Sequence, residues 1–390
     1  MTFVITSGGT AGHVSPALAV AAELKRLDKQ VIFAGSIGGM EERLARAAGL
    51  EYREFAAKGF DRQKPWTLVT SSLVLARSTR AARAWLKEIN AEAVGAFGGY
   101  VSVPVGKAAT REGIPLLVHE QNSHMGMTNK HLSKHADAIA LTYAAAEEGL
   151  DAQARTRVHL TGNPVRPEFS ALANEEHKAQ LQSDFRQEMG FGAHDLVLLV
   201  FGGSQGARHI NGAVVDLAPS LMKRPGLCVL QLTGRKEYAR VESALAEKLK
   251  GTAACSKRWK LLDYCDHMPA AFAAADIVLA RAGASSLAEL AVAAKPALLV
   301  PFPYAAADHQ RKNAESLVNA GAAHMVLDAE LDTPRFAEVL FSMIDDTALR
   351  TRMLAAAKQV SDANAATEVA QLLIAIAAKE AEPSVPGKGD

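Results

Sequence analysis

At 390 residues the chain is too long for one ordinary hydrophobic core, so two domains of about 150–200 residues are the default. Hydrophobic residues make up 49% and charged residues 22%, which excludes a disordered chain. Lys and Arg number 43 against 42 Asp and Glu, a net charge of +1, which excludes a global basic field, so no nucleic-acid partner is expected.

The opening MTFVITSGGT has no basic start and no long apolar core, so no secretory signal is expected. Phe3-Val4-Ile5-Thr6 reads as a short strand that ends at Gly8-Gly9. A helix is predicted from Val14 to Leu27, with Ser15 able to cap it and Pro16 suited to its first turn. Val31 to Gly35 is the next strand, which makes a βαβ unit with a parallel pair. Further apolar runs follow at Ala93–Phe97, Leu116–His119 and Ala138–Leu141. Runs without period-2 polarity suit strands covered on both faces by helices. The segment Thr161-Gly162-Asn163-Pro164-Val165-Arg166-Pro167 fits neither helix nor strand and places a domain boundary there. A polar helix is predicted over 174–190, then strands at Leu196–Phe201, Cys228–Leu232, Ile277–Ala280 and Ala297–Val300, with the last helices between 335 and 380. The tail from Ala381 is expected to be disordered. No run of about 18 apolar residues exists, so no helix is expected to span a bilayer. Cys228, Cys255 and Cys265 have no paired metal spacing and build no disulfide framework, which fits a reducing cytoplasm.

The chain echoes itself. Gly8, Gly9, Thr10 and Gly12 match Gly202, Gly203, Ser204 and Gly206 at a constant offset of 194. Both loops close an apolar strand and open a helix, where outward N–H groups and the helix dipole favour an anion. Either loop alone reads equally as a strand-end turn; the pair in register favours phosphate. Neither is G-x-G-x-x-G, and neither carries the lysine of a P-loop. Two α/β domains with such loops at their strand carboxyl ends would face each other across a cleft.

Other strand ends carry polar groups. Gly98-Gly99-Tyr100 is either a turn or a ligand contact, and His119-Glu120-Gln121-Asn122 either a satisfied loop or a cleft lining. His13 either packs at the first helix or acts as a general base beside a phosphate loop. Arg281-Ala-Gly-Ala-Ser-Ser-Leu-Ala-Glu289 offers a further anion-binding helix start, with Glu289 either an ordinary exposed residue or a carboxylate for paired ribose hydroxyls. Asp308-His309-Gln310 follows Val300-Pro301-Phe302-Pro303 on the same side. There is no D-x-D or H-x-x-x-H, so no tightly held metal is expected. Between Lys58 and Lys87 stand Lys58, Arg62, Lys64, Arg77, Arg80, Arg83 and Lys87 against Asp61 alone, interleaved with Phe60, Trp66, Leu73 and Trp85. Arg77, Arg80 and Arg83 share one side of a helix. Such a face suits an anionic membrane surface, or else it is the solvated side of a packed helix.

GGTAGHVSPALAVA, GGYVS, HEQN, GNPVR, GGSQGAR, RAGASS-x-x-E and HQ-x-x-NA occur together in this order. On these motifs the sequence resembles the MurG family, the bacterial N-acetylglucosaminyltransferases of peptidoglycan synthesis, over about residues 1 to 378. The resemblance implies an α/β GT-B fold: two Rossmann-like domains with parallel sheets facing a central cleft. The N-terminal domain, 1–163, would hold the acceptor and meet the membrane, with a C-terminal helix at about 362–380 returning to it; 164–361 would bind the donor, and 381–390 would be the tail. It implies inverting transfer of GlcNAc from UDP-GlcNAc to the C4 hydroxyl of MurNAc in undecaprenyl-pyrophosphoryl-MurNAc-pentapeptide (lipid I), forming lipid II. The enzyme would sit peripherally on the cytoplasmic face of the plasma membrane, in the company of other cell-wall synthesis proteins. No cofactor is implied, although loosely bound Mg²⁺ would leave no motif.

By the same resemblance, Ser204 would contact the donor pyrophosphate, and the backbone near Cys265 would read the uracil. Ala284, Ser285, Ser286, Leu287 and Ala288 would line phosphate and sugar, Glu289 would bind the ribose, Gln310 would hold GlcNAc hydroxyls and Arg166 would approach the donor. Thr10, Ala11, Gly12, His13, Tyr100, Glu120 and Asn122 would frame the acceptor, with His13 the expected base and Glu120 its alternative. The loop reads T-A-G where some members have T-G-G, and the added methyl of Ala11 should leave its backbone intact. A UDP-GlcNAc 2-epimerase would share the nucleotide contacts but give no reason for the basic-aromatic stretch from Lys58 to Lys87.

Overall fold

The computed structural model describes residues 2–57, 67–203, 206–250, 257–305 and 308–381. Ser204, Cys255, the basic-aromatic residues of 58–66 and the tail from 382 lie outside the described residues. The chain forms two compact units, Met1–Pro167 with Asn364–Asp390, and Glu168–Ala363.

The first unit holds a seven-stranded parallel sheet. Its strands are β1 (Thr2–Thr6), β2 (Gln30–Ser36), β3 (Glu51–Phe55), β4 (Ala91–Ala96), β5 (Leu116–Glu120), β6 (Ala138–Leu141) and β7 (Val158–Leu160), in the order β3-β2-β1-β4-β5-β6-β7. The helix Ala11–Arg26 and the C-terminal helix Ala365–Ala381 cover one face, where Val14, Val20 and Leu24 meet Val369 and Leu373. Trp85, Val105 and Leu132 pack on the other face against Val4, Val94 and Leu116. The strands are therefore apolar throughout rather than alternating. The first helix starts at Ala11, with Thr10 in the N-cap position, so Ser15 is no cap and Pro16 lies inside the helix rather than in its first turn. There Pro16 withholds the N–H that would meet the Gly12 carbonyl.

The second unit holds a six-stranded parallel sheet of β8 (Leu196–Phe201), β9 (Leu227–Leu232), β10 (Trp259–Leu262), β11 (Ile277–Ala280), β12 (Ala297–Leu299) and β13 (Ala323–Met325). Their order is β10-β9-β8-β11-β12-β13. The predicted polar helix is Glu175–Met189; the Asn174 side chain accepts from His177 N at 2.9 Å to start it, and Gly190 ends it. In each sheet the strand order reverses once, between β1 and β4 and between β8 and β11. Loops at such a reversal leave in opposite directions and open a crevice at the strand carboxyl ends.

Candidate functional site

In the first unit the glycine loops after β1 and β4 meet at the reversal. Gly8 N donates to Gly98 O at 3.3 Å, and Phe97 N donates to Thr6 O at 2.9 Å. Gly99 has φ +84°, and a Cβ there would stand 2.3 Å from the Gly8 carbonyl oxygen. Only glycine satisfies both the conformation and the approach. His13 projects from the first turn of helix Ala11–Arg26, with its Nδ1 3.1 Å from Thr10 Oγ1. Its ring lies over Gly98, whose absent Cβ would be 3.0 Å from His13 Cδ2. Tyr100, next in the chain after Gly99, is exposed. Beneath the loop lies a residue the motifs did not single out: buried Glu41, which accepts from Ser36 N at 2.8 Å and whose Oε1 would be 2.6 Å from a Cβ at position 8.

Glu120 ends β5 and is buried. Its Oε1 accepts from Asn122 N and Asn122 Nδ2, both at 3.1 Å, and its Oε2 accepts from Gly126 N at 2.9 Å and Asn129 Nδ2 at 2.8 Å. One carboxylate thus organises the whole loop from 120 to 129. His119 is buried against the Phe97 ring at 5.3 Å, with Nε2 3.1 Å from Gly162 O and Nδ1 3.1 Å from Gln121 Nε2. Nε2–H donating and Nδ1 accepting suits a neutral ring.

Burial pushes His119 down to about 4, against an ordinary 6.5. The neutral form is therefore the one the fold holds. Its contribution is complete above 6.5 and is lost as pH falls from 6.5 towards 4, a total of about 3 kcal/mol. The urea midpoint of the wild type should fall more steeply with acid than that of His119→Gln; parallel curves would contradict this.

In the second unit Gly202 and Gly203 follow β8, and helix Arg208–Asp216 begins five positions after Gly203. Gly206 has φ +74°, and a Cβ there would lie 2.3 Å from Thr233 O. Asn211, fully buried, donates from Nδ2 to the same Thr233 oxygen at 2.9 Å and pins the helix start to the end of β9. After β11, Gly283 caps helix Ala284–Ala293. Ser285, Ser286, Ala288 and Glu289 are half-buried on it. Leu287 on the same helix packs its side chain in the core, and its N–H donates to Gly283 O at 2.9 Å. Cys265 is buried after β10, and burial pushes its thiol up. Gln310 Oε1 accepts from Phe302 N at 3.0 Å, which fixes the side chain and leaves its Nε2 as donor. Arg166 is half-buried in the closing loop of the first unit.

The basic helix is Thr67–Glu88. Arg77 and Arg80 are exposed, as is Leu73. Arg83 and Lys87 both pair with Glu112, Lys87 at 2.6 Å, while their side chains keep solvent exposure. Trp85 is core, 5.5 Å from the Phe55 ring. Among the described residues no helix is long and apolar enough to cross a membrane, and no group of three His, Cys, Asp or Glu could hold a metal ion.

Residues 3–141 match the glycosyltransferase family 28 N-terminal domain, and residues 197–372 match its C-terminal domain. The chain is 34% identical over 360 residues to the UDP-N-acetylglucosamine–N-acetylmuramyl-(pentapeptide) pyrophosphoryl-undecaprenol N-acetylglucosamine transferase of Halothermothrix orenii, covering 92% of this chain and 95% of that one. The chain belongs to the MurG family of glycosyltransferases. The crystal structure of Acinetobacter baumannii MurG superposes with a TM-score of 0.74 at 28% identity, covering 96% of this chain and 99% of that one. The two parallel Rossmann-like sheets are thus those of the GT-B fold seen in the MurG family. A Neisseria meningitidis UDP-GlcNAc 2-epimerase shares the fold alone, with a TM-score of 0.66 at 13% identity over 96% of this chain and 100% of that one.

Proposed function

We propose that this MurG-family enzyme transfers GlcNAc from UDP-GlcNAc to the C4 hydroxyl of MurNAc in lipid I, with inversion, to form lipid II. The observation that carries the reading is identity along nearly the whole of both chains to a transferase named for this reaction. The second unit takes the donor. Gly202, Gly203 and Gly206 after β8 and the helix start at Gly283 after β11 lie on either side of the strand reversal, where dipoles favour a diphosphate. The same dipoles would stabilise charge on departing UDP. The first unit takes the acceptor. His13 Nδ1 lies 3.1 Å from Thr10 Oγ1; in the tautomer that donates from Nδ1 to this oxygen, Nε2 takes the proton of the attacking hydroxyl. The enzyme rests on the cytoplasmic face of the membrane through the exposed Arg77, Arg80 and Leu73 of helix Thr67–Glu88.

Radiolabelled UDP-GlcNAc incubated with a lipid I analogue should yield labelled lipid product; label recovered only as an epimerised nucleotide sugar would refute the reading. Glu289→Ala should weaken UDP-GlcNAc binding by the loss of a charge-assisted contact, about 1.5–3 kcal/mol. Calorimetric titration showing wild-type affinity would remove Glu289 from the ribose.

A further inference from the structure

His209 is the second residue of helix Arg208–Asp216, directly behind the glycine loop after β8. Its Nδ1 is 2.7 Å from Asp328 Oδ2, and its Nε2 is 3.0 Å from Asp332 Oδ2. A neutral imidazole has one N–H and one lone pair, so one of these contacts would set a lone pair against a carboxylate. Two carboxylates on two ring nitrogens require the imidazolium. The other oxygen of Asp328 pairs with Arg281 at 2.5 Å. Arg281 follows β11 and opens the second anion-binding loop; its side chain also donates to Val300 O at 3.3 Å and Pro301 O at 3.2 Å. Its guanidinium lies 5.6 Å from the centre of the Phe302 ring, and Phe302 N is the donor that fixes Gln310.

We infer that protonated His209 is a positioning residue for donor binding: through Asp328 it ties the helix behind the first glycine loop to Arg281 at the second, and through Phe302 to Gln310. The inference rests on the donor reading of the second unit. No other side chain described above links both loops. Other charged groups on its own and the neighbouring elements are Arg208, which precedes it on the helix, Glu330, which pairs with Arg335 on the turn that carries Asp328, and Glu237, which pairs with Arg240 at the start of helix Tyr238–Lys248; Arg240 also donates to Arg208 O at 3.4 Å. The hydrogen bond to Asp328 raises the His209 pKa above its ordinary 6.5, with Asp332 adding to it and burial opposing it. Burial pushes the Asp328 carboxyl up, but His209 and Arg281 outweigh it and hold it below its usual range. The link is therefore complete below pH 6.5 and dissolves as pH rises through the raised value.

The test is the KM for UDP-GlcNAc, measured from acid to alkaline pH on the full-length enzyme with a lipid I analogue. In the wild type KM should rise by about fivefold as His209 loses its proton, the lower end of ordinary coupling between sites. His209→Gln keeps one donor and cannot titrate, so its KM should be raised at low pH and flat across that range, with kcat close to wild type. Asp332→Asn, at an exposed position, should shift the midpoint of the wild-type transition downward with only a small drop in melting temperature, and it keeps the test decisive if His209→Gln folds poorly. Superimposable KM profiles in wild type and Asp332→Asn, or a wild-type profile retained in His209→Gln, overturn the clamp. Failure of the clamp alone leaves Glu289→Ala still impaired in donor binding; failure of the donor reading leaves Glu289→Ala at wild-type affinity.

Discussion

His13→Ala should lower kcat by about 10²–10⁴-fold, the span associated with loss of a general base, while the KM for UDP-GlcNAc stays near its wild-type value. The reason lies in what surrounds the ring. It stands in the first helical turn at the reversal of the first sheet, over the glycine of the neighbouring loop and beside Thr10. Thr10 Oγ1 can accept the Nδ1 proton and so leave Nε2 with its lone pair. On the proposed division, the second unit holds the donor and the change leaves that unit intact, so donor affinity has no cause to move. Thr10→Val should fall in the same direction by less, since it loosens the tautomer without removing the base. The two variants should keep the wild-type melting temperature, because the ring is half-buried and the helix starts on backbone bonds. Wild-type turnover in His13→Ala would end its candidacy.

Most of this arrangement was legible in the sequence, and what was not has a common cause. Every interior strand of both sheets reads as an apolar run, because helices cover both of its faces. The four strands that the pattern did not single out, β3, β7, β10 and β13, are the four edges of the two sheets. An edge strand is only partly covered, so Glu51-Tyr52-Arg53-Glu54-Phe55 and Trp259-Lys260-Leu261-Leu262 keep polar residues and lose the signal. The glycine motifs marked the strand reversals because close backbone approach leaves room for no other residue. The partners of those loops were invisible. Glu41 lies on the helix after β2, and the His209, Asp328 and Arg281 triad draws on three strand ends spread over more than a hundred positions. Spacing cannot register such a meeting, since the topology creates it. The basic stretch shows the same limit: spacing puts Arg77, Arg80 and Arg83 on one side of a helix, but it carries no sign that Glu112 on the neighbouring helix pairs with Arg83 and Lys87.

Glu120→Ala should destabilise the first unit by about 3 kcal/mol or more, and Glu120→Gln should be destabilised as well. A carboxylate offers about four lone-pair sites. Asn122 N, Asn122 Nδ2, Gly126 N and Asn129 Nδ2 fill them, at 2.8 to 3.1 Å. Hydrogen bonds to a charged group contribute about 1.5–3 kcal/mol each, and alanine forfeits four while water entering the space restores part. The glutamine keeps the shape but turns an NH₂ group towards two of the donors, so isosterism does not rescue it. The same count speaks to chemistry. A general base needs a lone pair facing the acceptor hydroxyl, and the Glu120 oxygens have spent theirs on the loop. Its removal should therefore disorder the acceptor side, raising the KM for the lipid I analogue and lowering the unfolding midpoint together. A base would behave otherwise: Glu120→Gln would melt like the wild type and lose only turnover. Chemical unfolding of both variants beside their steady-state kinetics separates the two, and a stable but inactive Glu120→Gln would transfer the proton from His13 to Glu120.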